Sequence, residues 1–156
     1  MLLIDCFNFF KFMRLNMLDE EFVETKIRNY LIKKGWKLTN TQKEKNEHGV
    51  DVKCYHPKWR RTMLIETKGS SKSKPNQAKH NAFYNILGQI LSRMDKEGNK
   101  PKRAKIYAIG IPKTWEGTFK NKIKNMKYGW SLLKLKIFLV DDDGNVEEKP
   151  WRKFLI

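Results

Sequence analysis

The chain has 156 residues, 40% of them hydrophobic, enough to bury one core but too few for a second independent domain to be expected. Its 33 Lys and Arg stand against 17 Asp and Glu, a formal net charge of +16. That excess is more than ordinary surface ion pairing requires, and it points to a polyanionic partner, nucleic acid first. Cys6 and Cys54 lie far apart and outside any CxxC or Cys/His cluster, so neither a disulfide framework nor a zinc site is signalled and a reducing, cytoplasmic setting is expected.

The opening MLLIDCFNFFKFM is apolar, but Asp5 and Lys11 interrupt it, it is shorter than a membrane span, and no small-residue cleavage site follows. Residues 1–17 are therefore expected to be a peripheral extension, without leader or anchor, ahead of a single domain over 18–156. From Leu18 to Lys34, Phe22, Val23, Ile27, Tyr30 and Leu31 recur at helical spacing. Asp19, Glu20 and Glu21 occupy the first turn and Gly35 follows the end, as in a capped amphipathic helix. Trp36 to Thr39 reads as a short strand and TQKEKNEHG as a turn. GVDVKCYH then reads as a strand with Val50, Val52 and Cys54 on one face and Asp51 on the other.

After a loop at Pro57 to Arg60, RTMLIETK reads as a buried strand that ends in charge, followed by the loop GSSKSKPN. Ala78 to Met94 carries Ala82, Phe83, Ile86, Leu87, Ile90 and Leu91 at helical intervals. Ala104 to Ile111 is a strand stopped by Pro112, Trp115 to Met126 a third helix, and Leu133 to Val140 a strand entering the DDDGN turn. The order α-β-β-β-α-β-α-β predicts an α/β domain with a mixed central sheet flanked by helices.

Glu66 and Lys68 are one residue apart on a strand, so they leave it on the same face. Asp51 lies on the preceding strand, and the short connection through Pro57 predicts that the two strands pair and bring Asp51 beside Glu66. Two carboxylates so close repel each other unless a cation lies between them, and hard oxygen ligands suit Mg2+ or Mn2+. Such a cation would polarise a phosphodiester and activate water, with the Lys68 ammonium positioning that water or meeting the developing charge.

HGVDVKCY followed by MLIETKG resembles the PD-(D/E)xK, restriction-endonuclease-like nuclease superfamily, which has an acidic residue on one strand, ExK on the next, and then a helix. The resemblance covers roughly residues 18–111, with Val50 where the family pattern has Pro. It implies a restriction-endonuclease-like αβββαβ core, metal ligation by Asp51, Glu66 and the Thr67 backbone carbonyl, and assistance from Lys68. Glu24 in the first helix is similar in placement to a Glu of archaeal Holliday-junction resolvases, with Glu20 as competitor and an ion pair to Arg28 as the plain alternative. LGQILSRM resembles the Gln-bearing helix after ExK, which implies that Gln89 faces the centre.

Lys72, Lys74 and Lys79, just beyond Lys68, are the expected phosphate contacts. Asp141, Asp142 and Asp143 lack the alternating ligands of a calcium loop and read as a hairpin turn before Val146. His48 and His56 are expected to be solvated loop residues. Trp59, Trp115, Trp130 and Trp151 would suit stacking on unpaired bases, although most tryptophans pack in or over cores. The expectation is a Mg2+- or Mn2+-dependent DNA endonuclease, restriction-like or junction-resolving, acting as a homodimer without a membrane partner. The alternatives are a binding module that does not cut, and an RNA-directed nuclease, since charge does not distinguish the two polymers.

Overall fold

A computed structural model of the chain describes residues 18–41, 49–70, 75–96 and 105–155. Asp19 opens the first helix, α1 (Glu20–Lys33), its carboxylate accepting the Phe22 N–H at 2.8 Å ahead of Glu20 and Glu21 in the first turn. Gly35, at φ +84°, closes it. The Trp36 N–H returns to the Leu31 carbonyl and the Gly35 N–H to the Ile32 carbonyl, each at 3.0 Å, and these two bonds form a Schellman cap that turns the chain into the sheet.

Among the described residues, six strands form one mixed sheet in chain order: β1 (Lys37–Leu38), β2 (Val52–His56), β3 (Arg61–Thr67), β4 (Lys105–Pro112), β5 (Lys136–Val140) and β6 (Val146–Pro150). β1, β2 and β3 are antiparallel neighbours, β3, β4 and β5 are parallel, and β6 returns antiparallel on β5. Helix α2 (Pro75–Lys96) makes the crossover from β3 to β4. A 3-10 turn (Lys113–Trp115), α3 (Glu116–Ile123) and α4 (Lys127–Leu133) lead from β4 to β5, and a second 3-10 turn (Trp151–Phe154) follows β6.

Register divides the two faces. Met63, Ile65 and Thr67 pair with Ile106, Ala108 and Gly110 on one face, and Leu64 and Glu66 with Tyr107 and Ile109 on the other. Val23, Ile27 and Leu31 of α1 cover the first face, packing with Val52, Cys54, Met63, Ile65 and Phe138. Phe83, Ile86 and Ile90 of α2 cover the second, with Phe119 and Ile123 of α3 and Ile109, Ile111 and Ile137 of the sheet. Burying each such side chain contributes about 1.5–3 kcal/mol, so the two apolar layers clamp the sheet between them.

Three expectations change. The third helix is not continuous over Trp115–Met126: a 3-10 turn precedes α3, and α4 occupies residues expected to lead into a strand. α4 is short and buries a single residue, Trp130, whose Nε1–H donates to the Trp151 carbonyl at 3.0 Å, so its sequence carries almost no helical period. Lys134, at φ +49°, ends α4 and delays β5 to Lys136 rather than Leu133. Leu91, expected in the apolar stripe of α2, is exposed. The DDDGN segment is the expected turn, with the Asp141 carboxylate accepting the Asp143 and Asn145 N–H groups. No helix among the described residues is long and apolar enough to cross a membrane, and the apolar segment of residues 1–17 lies outside them.

The chain leaving β3 passes against the start of α1. The Ser70 N–H donates to the Leu18 carbonyl at 2.7 Å, and a Cβ on Gly69 would lie 2.1 Å from the Glu20 nitrogen. Gly69→Ala should therefore lower the unfolding free energy by about 1–3 kcal/mol, because backbone must move to admit the methyl group. Gly88→Ala, on the exposed face of α2 with nothing within 4 Å of the added carbon, should raise it by up to about 1 kcal/mol. Urea unfolding of the two variants measures both, and an unaltered Gly69→Ala protein would contradict the close approach.

A candidate carboxylate centre at the end of strand β3

β2 and β3 pair with Val52 opposite Ile65, so the residue before Val52 and the residue after Ile65 meet at the open end of the hairpin. These are Asp51 and Glu66. Asp51 sits in the bend just ahead of β2, and its Oδ2 accepts the Thr67 N–H at 2.7 Å and the Thr67 hydroxyl at 3.2 Å. The bond to Asp51 thus prolongs the β2–β3 ladder past its last residue pair. Glu66 is fully buried on the α2 face.

The Glu66 Oε1 accepts the Arg93 Nε–H at 2.7 Å, and a second nitrogen of Arg93 donates to the Gly49 carbonyl. The Glu66 Oε2 is buried with no donor among the described residues, and the carboxyl meets that of Asp51. Burial first, and the Asp51 charge second, push the Glu66 pKa up to about 7, with Arg93 pulling against both.

The backbone around Asp51 is held from α1. Arg28, buried, takes a 2.7 Å ion pair from Glu24 and donates to the Asp51 carbonyl at 2.6 Å, the Asn40 carbonyl at 2.9 Å and the Thr41 carbonyl at 3.0 Å. The Asn40 amide donates to the Val50 and Asp51 carbonyls, each at 3.0 Å. Glu24 therefore pairs with Arg28 at i,i+4, but in the interior rather than on the surface, and it reaches the centre through Arg28 and the main chain.

Lys68 follows the last residue of β3, and its Nζ lies 3.1 Å and 3.2 Å from the two carboxylate oxygens of Glu20. The Lys68 N–H donates to the Gly110 carbonyl on β4 at 2.9 Å. Across a planar trans peptide the carbonyl points opposite to the N–H, so the Thr67 carbonyl is directed away from β4, toward the Asp51 side. Gln89 is half-buried one helical turn before Arg93 on α2, with its Oε1 buried and lacking a donor among the described residues. Lys79 lies on α2, while Lys72 and Lys74 fall outside the described residues.

Sequence reasoning missed Arg93, and it named Arg28 as the partner of Glu24 without its bonds to the Asp51, Asn40 and Thr41 carbonyls. Arg93 stands at i+4 from Gln89, and that spacing could have nominated it. His56 differs from expectation: it is buried in β2 rather than solvated in a loop, because Trp36 and Trp59 pack around it.

No group of three or more His, Cys, Asp or Glu side chains gathered for a metal ion occurs among the described residues. Asp51, the unpartnered Glu66 Oε2 and the Thr67 carbonyl make a smaller set, all oxygen, of two carboxylates and one carbonyl. That composition fits Mg2+, which keeps several waters and is commonly held by one or two carboxylates.

Two tests follow. A carboxyl raised from 4.5 to about 7 stabilises the fold fully below pH 4.5, and that stabilisation is lost as pH rises through 7. In metal-free buffer the unfolding free energy should accordingly fall over this window, and Glu66→Gln should flatten the fall; identical slopes would remove the assignment. Glu24→Ala, which strips the carboxylate from buried Arg28, should cost roughly 3 kcal/mol, whereas Glu24→Gln, keeping an acceptor, should cost clearly less by the same unfolding measurement.

Comparison with protein-family models, with curated proteins and with solved structures finds no match to this chain.

Proposed function

We propose that the chain is a divalent-metal-dependent nuclease with a restriction-endonuclease-like core, hydrolysing phosphodiester bonds in DNA. The observation that carries the reading is the meeting of Asp51 with the fully buried Glu66, whose carboxylate takes the Arg93 guanidinium and still has its pKa raised, in a chain of net charge +16. Interiors do not gather like charges without a compensating cation. Asp51, Glu66 and the Thr67 carbonyl would hold Mg2+ or Mn2+, which supplies Lewis-acid polarisation of the phosphate and activation of water.

The chain's own groups do the rest. Lys68 is tied to Glu20, a half-exposed partner, and exposed pairs of this kind are worth less than about 1 kcal/mol, so a phosphate can draw the ammonium away. There it offsets charge that develops on the phosphate oxygens. Arg93 keeps the Glu66 carboxylate oriented, and Gln89 offers an amide oxygen on the same stretch of helix. Lys79, with Lys72 and Lys74, would take flanking phosphates. Cutting both strands of a duplex would use two copies of the chain, since each carries one such centre.

A second reading has its own support: Glu66 and Lys68 each already have a protein partner, Arg93 and Glu20, as in a module that binds nucleic acid and does not cut it. Titration of Mg2+ and Mn2+ against plasmid, linear, single-stranded and four-way-junction DNA, with RNA of matched length, separates the two. On the nuclease reading, cleavage requires metal. Asp51→Ala and Glu66→Ala abolish it while DNA binding persists or tightens, because each carboxylate repels phosphate when no metal is present. Lys68→Ala also stops turnover but weakens binding and lowers the salt slope by roughly one contact. Mg2+ should raise the melting temperature of the wild type and not of Asp51→Ala. Binding without turnover under every metal would establish the module instead.

A further inference from the structure

The β2–β3 hairpin carries a second feature at its closed end, away from Asp51 and Glu66. The turn at Pro57 to Arg60 is exposed, and Arg60 holds φ +51°, in the left-handed region. Trp59 lies flat on His56, with ring centroids 3.8 Å apart and planes 14° from parallel, and the Trp59 N–H donates to the His56 Nδ1 at 3.4 Å. His56 rests in turn against buried Trp36, edge to face, at 5.1 Å. One face of the Trp59 indole is therefore backed and its orientation set, yet the residue keeps 53% of its surface in solvent.

Beside the indole opens a hollow of about 470 Å³ lined by Trp59, Arg61, Ile106 and Lys136. Between Asp51 and Glu66 the sequence carries four cations, Lys53, Lys58, Arg60 and Arg61, and no carboxylate. Lys136 is held by Glu148, so Lys58, Arg60 and Arg61 set the local charge. Trp59 covers His56 and meets Trp36 edge to face at 5.7 Å, so the indole is fixed from behind while about half of its surface stays open beside Arg61.

We propose that this hairpin tip is a binding site for an unpaired DNA base, which stacks on Trp59 while Arg61 and Lys58 take the adjoining phosphates. The proposal rests on nucleic acid being the ligand of the chain and not on the chain cutting it. Every base offers a π-face, and an indole already immobilised loses little freedom when one settles on it. A base inside a continuous duplex has both faces covered, so the site prefers single-stranded or branched DNA. Val52 to His56 spans four residue steps, about 13 Å, and the bound base therefore lies well away from the carboxylates. It would select the form of the strand rather than take part at the bond that is cut.

The test is binding in EDTA, where nothing can be cleaved, read by fluorescence anisotropy. Labelled oligothymidylate, a strand of the same length with abasic positions, and a blunt duplex are compared on wild type, Trp59→Ala and Trp59→Phe. Wild type should bind the thymidylate roughly tenfold more tightly than the abasic strand or than Trp59→Ala binds thymidylate, with Trp59→Phe keeping most of the affinity. The abasic strand should bind wild type and Trp59→Ala alike. Equal binding of thymidylate and abasic strands by the wild type would overturn the proposal, and that comparison involves no substitution that could unfold the chain. Base-dependent binding without cleavage in magnesium would retain this site and remove the nuclease reading; cleavage without base-dependent binding would do the reverse.

Discussion

A carboxylate with no exposure to water is the constraint around which this fold is arranged. Glu66 is fully buried at the end of a central strand, beside a second carboxylate, and desolvation of an isolated charge there would cost several kcal/mol. The surrounding structure offsets part of that cost with a 2.7 Å hydrogen bond from Arg93, while Oε2 has no donor among the described residues and burial with the Asp51 charge raises the pKa to about 7. A fold that needed only stability would have used an apolar residue at this position, as it does at Ile109, the register partner of Glu66 on β4. The residual electrostatic tension is the physical ground for reading the site as functional.

Asp51 is the softer member of the pair, half-exposed and outside the regular strand, and several bonds keep it in place. Its side chain continues the ladder through the Thr67 N–H, while Arg28 and Asn40 hold its carbonyl from below. Glu24 contributes at one remove by holding Arg28. Helix α1 thus serves the centre at both ends of its first half: Glu20 in the first turn takes Lys68, and Glu24 with Arg28, one and two turns on, steadies the bend that carries Asp51. The tight passage of Gly69 against the Glu20 backbone couples these roles, because moving the start of α1 would move both Lys68 and its partner.

Positive charge and exposed aromatic surface are not spread evenly along the hairpin. The open end brings carboxylates together, while the closed end carries Lys58, Arg60 and Arg61 in the segment that holds the half-exposed Trp59. An antiparallel pair lets one short segment of chain carry two environments of opposite sign about a strand's length apart, and the α1 core between them keeps the separation rigid. A polyanion approaching such a surface is attracted at one end and, unless cations intervene, repelled at the other.

By itself the sequence determined the local periods and stops: α1 with its Asp19 cap and Gly35 end, the alternation that brings Asp51 and Glu66 together across β2 and β3, the α2 crossover, and the turn at Asp141. Each follows from short-range stereochemistry, in which a spacing of two or of three to four residues states which side chains share a face. Tertiary structure alone decided which partners those faces meet. Arg93 in α2 looks like any solvated helical cation until the crossover lays it over Glu66, 27 residues away in sequence. Lys68 shares the period of Glu66, yet its strand ends at Thr67 and its ammonium turns to Glu20, 48 residues earlier. His56 and Trp59 become a stacked pair only when the hairpin closes against Trp36. α4 exists because Trp130 finds a buried seat and a carbonyl at Trp151, a non-local contact that no seven-residue pattern encodes. Buried charge and aromatic contacts are chosen by geometry across the core, and a single sequence records that geometry only in the residues it leaves available for it.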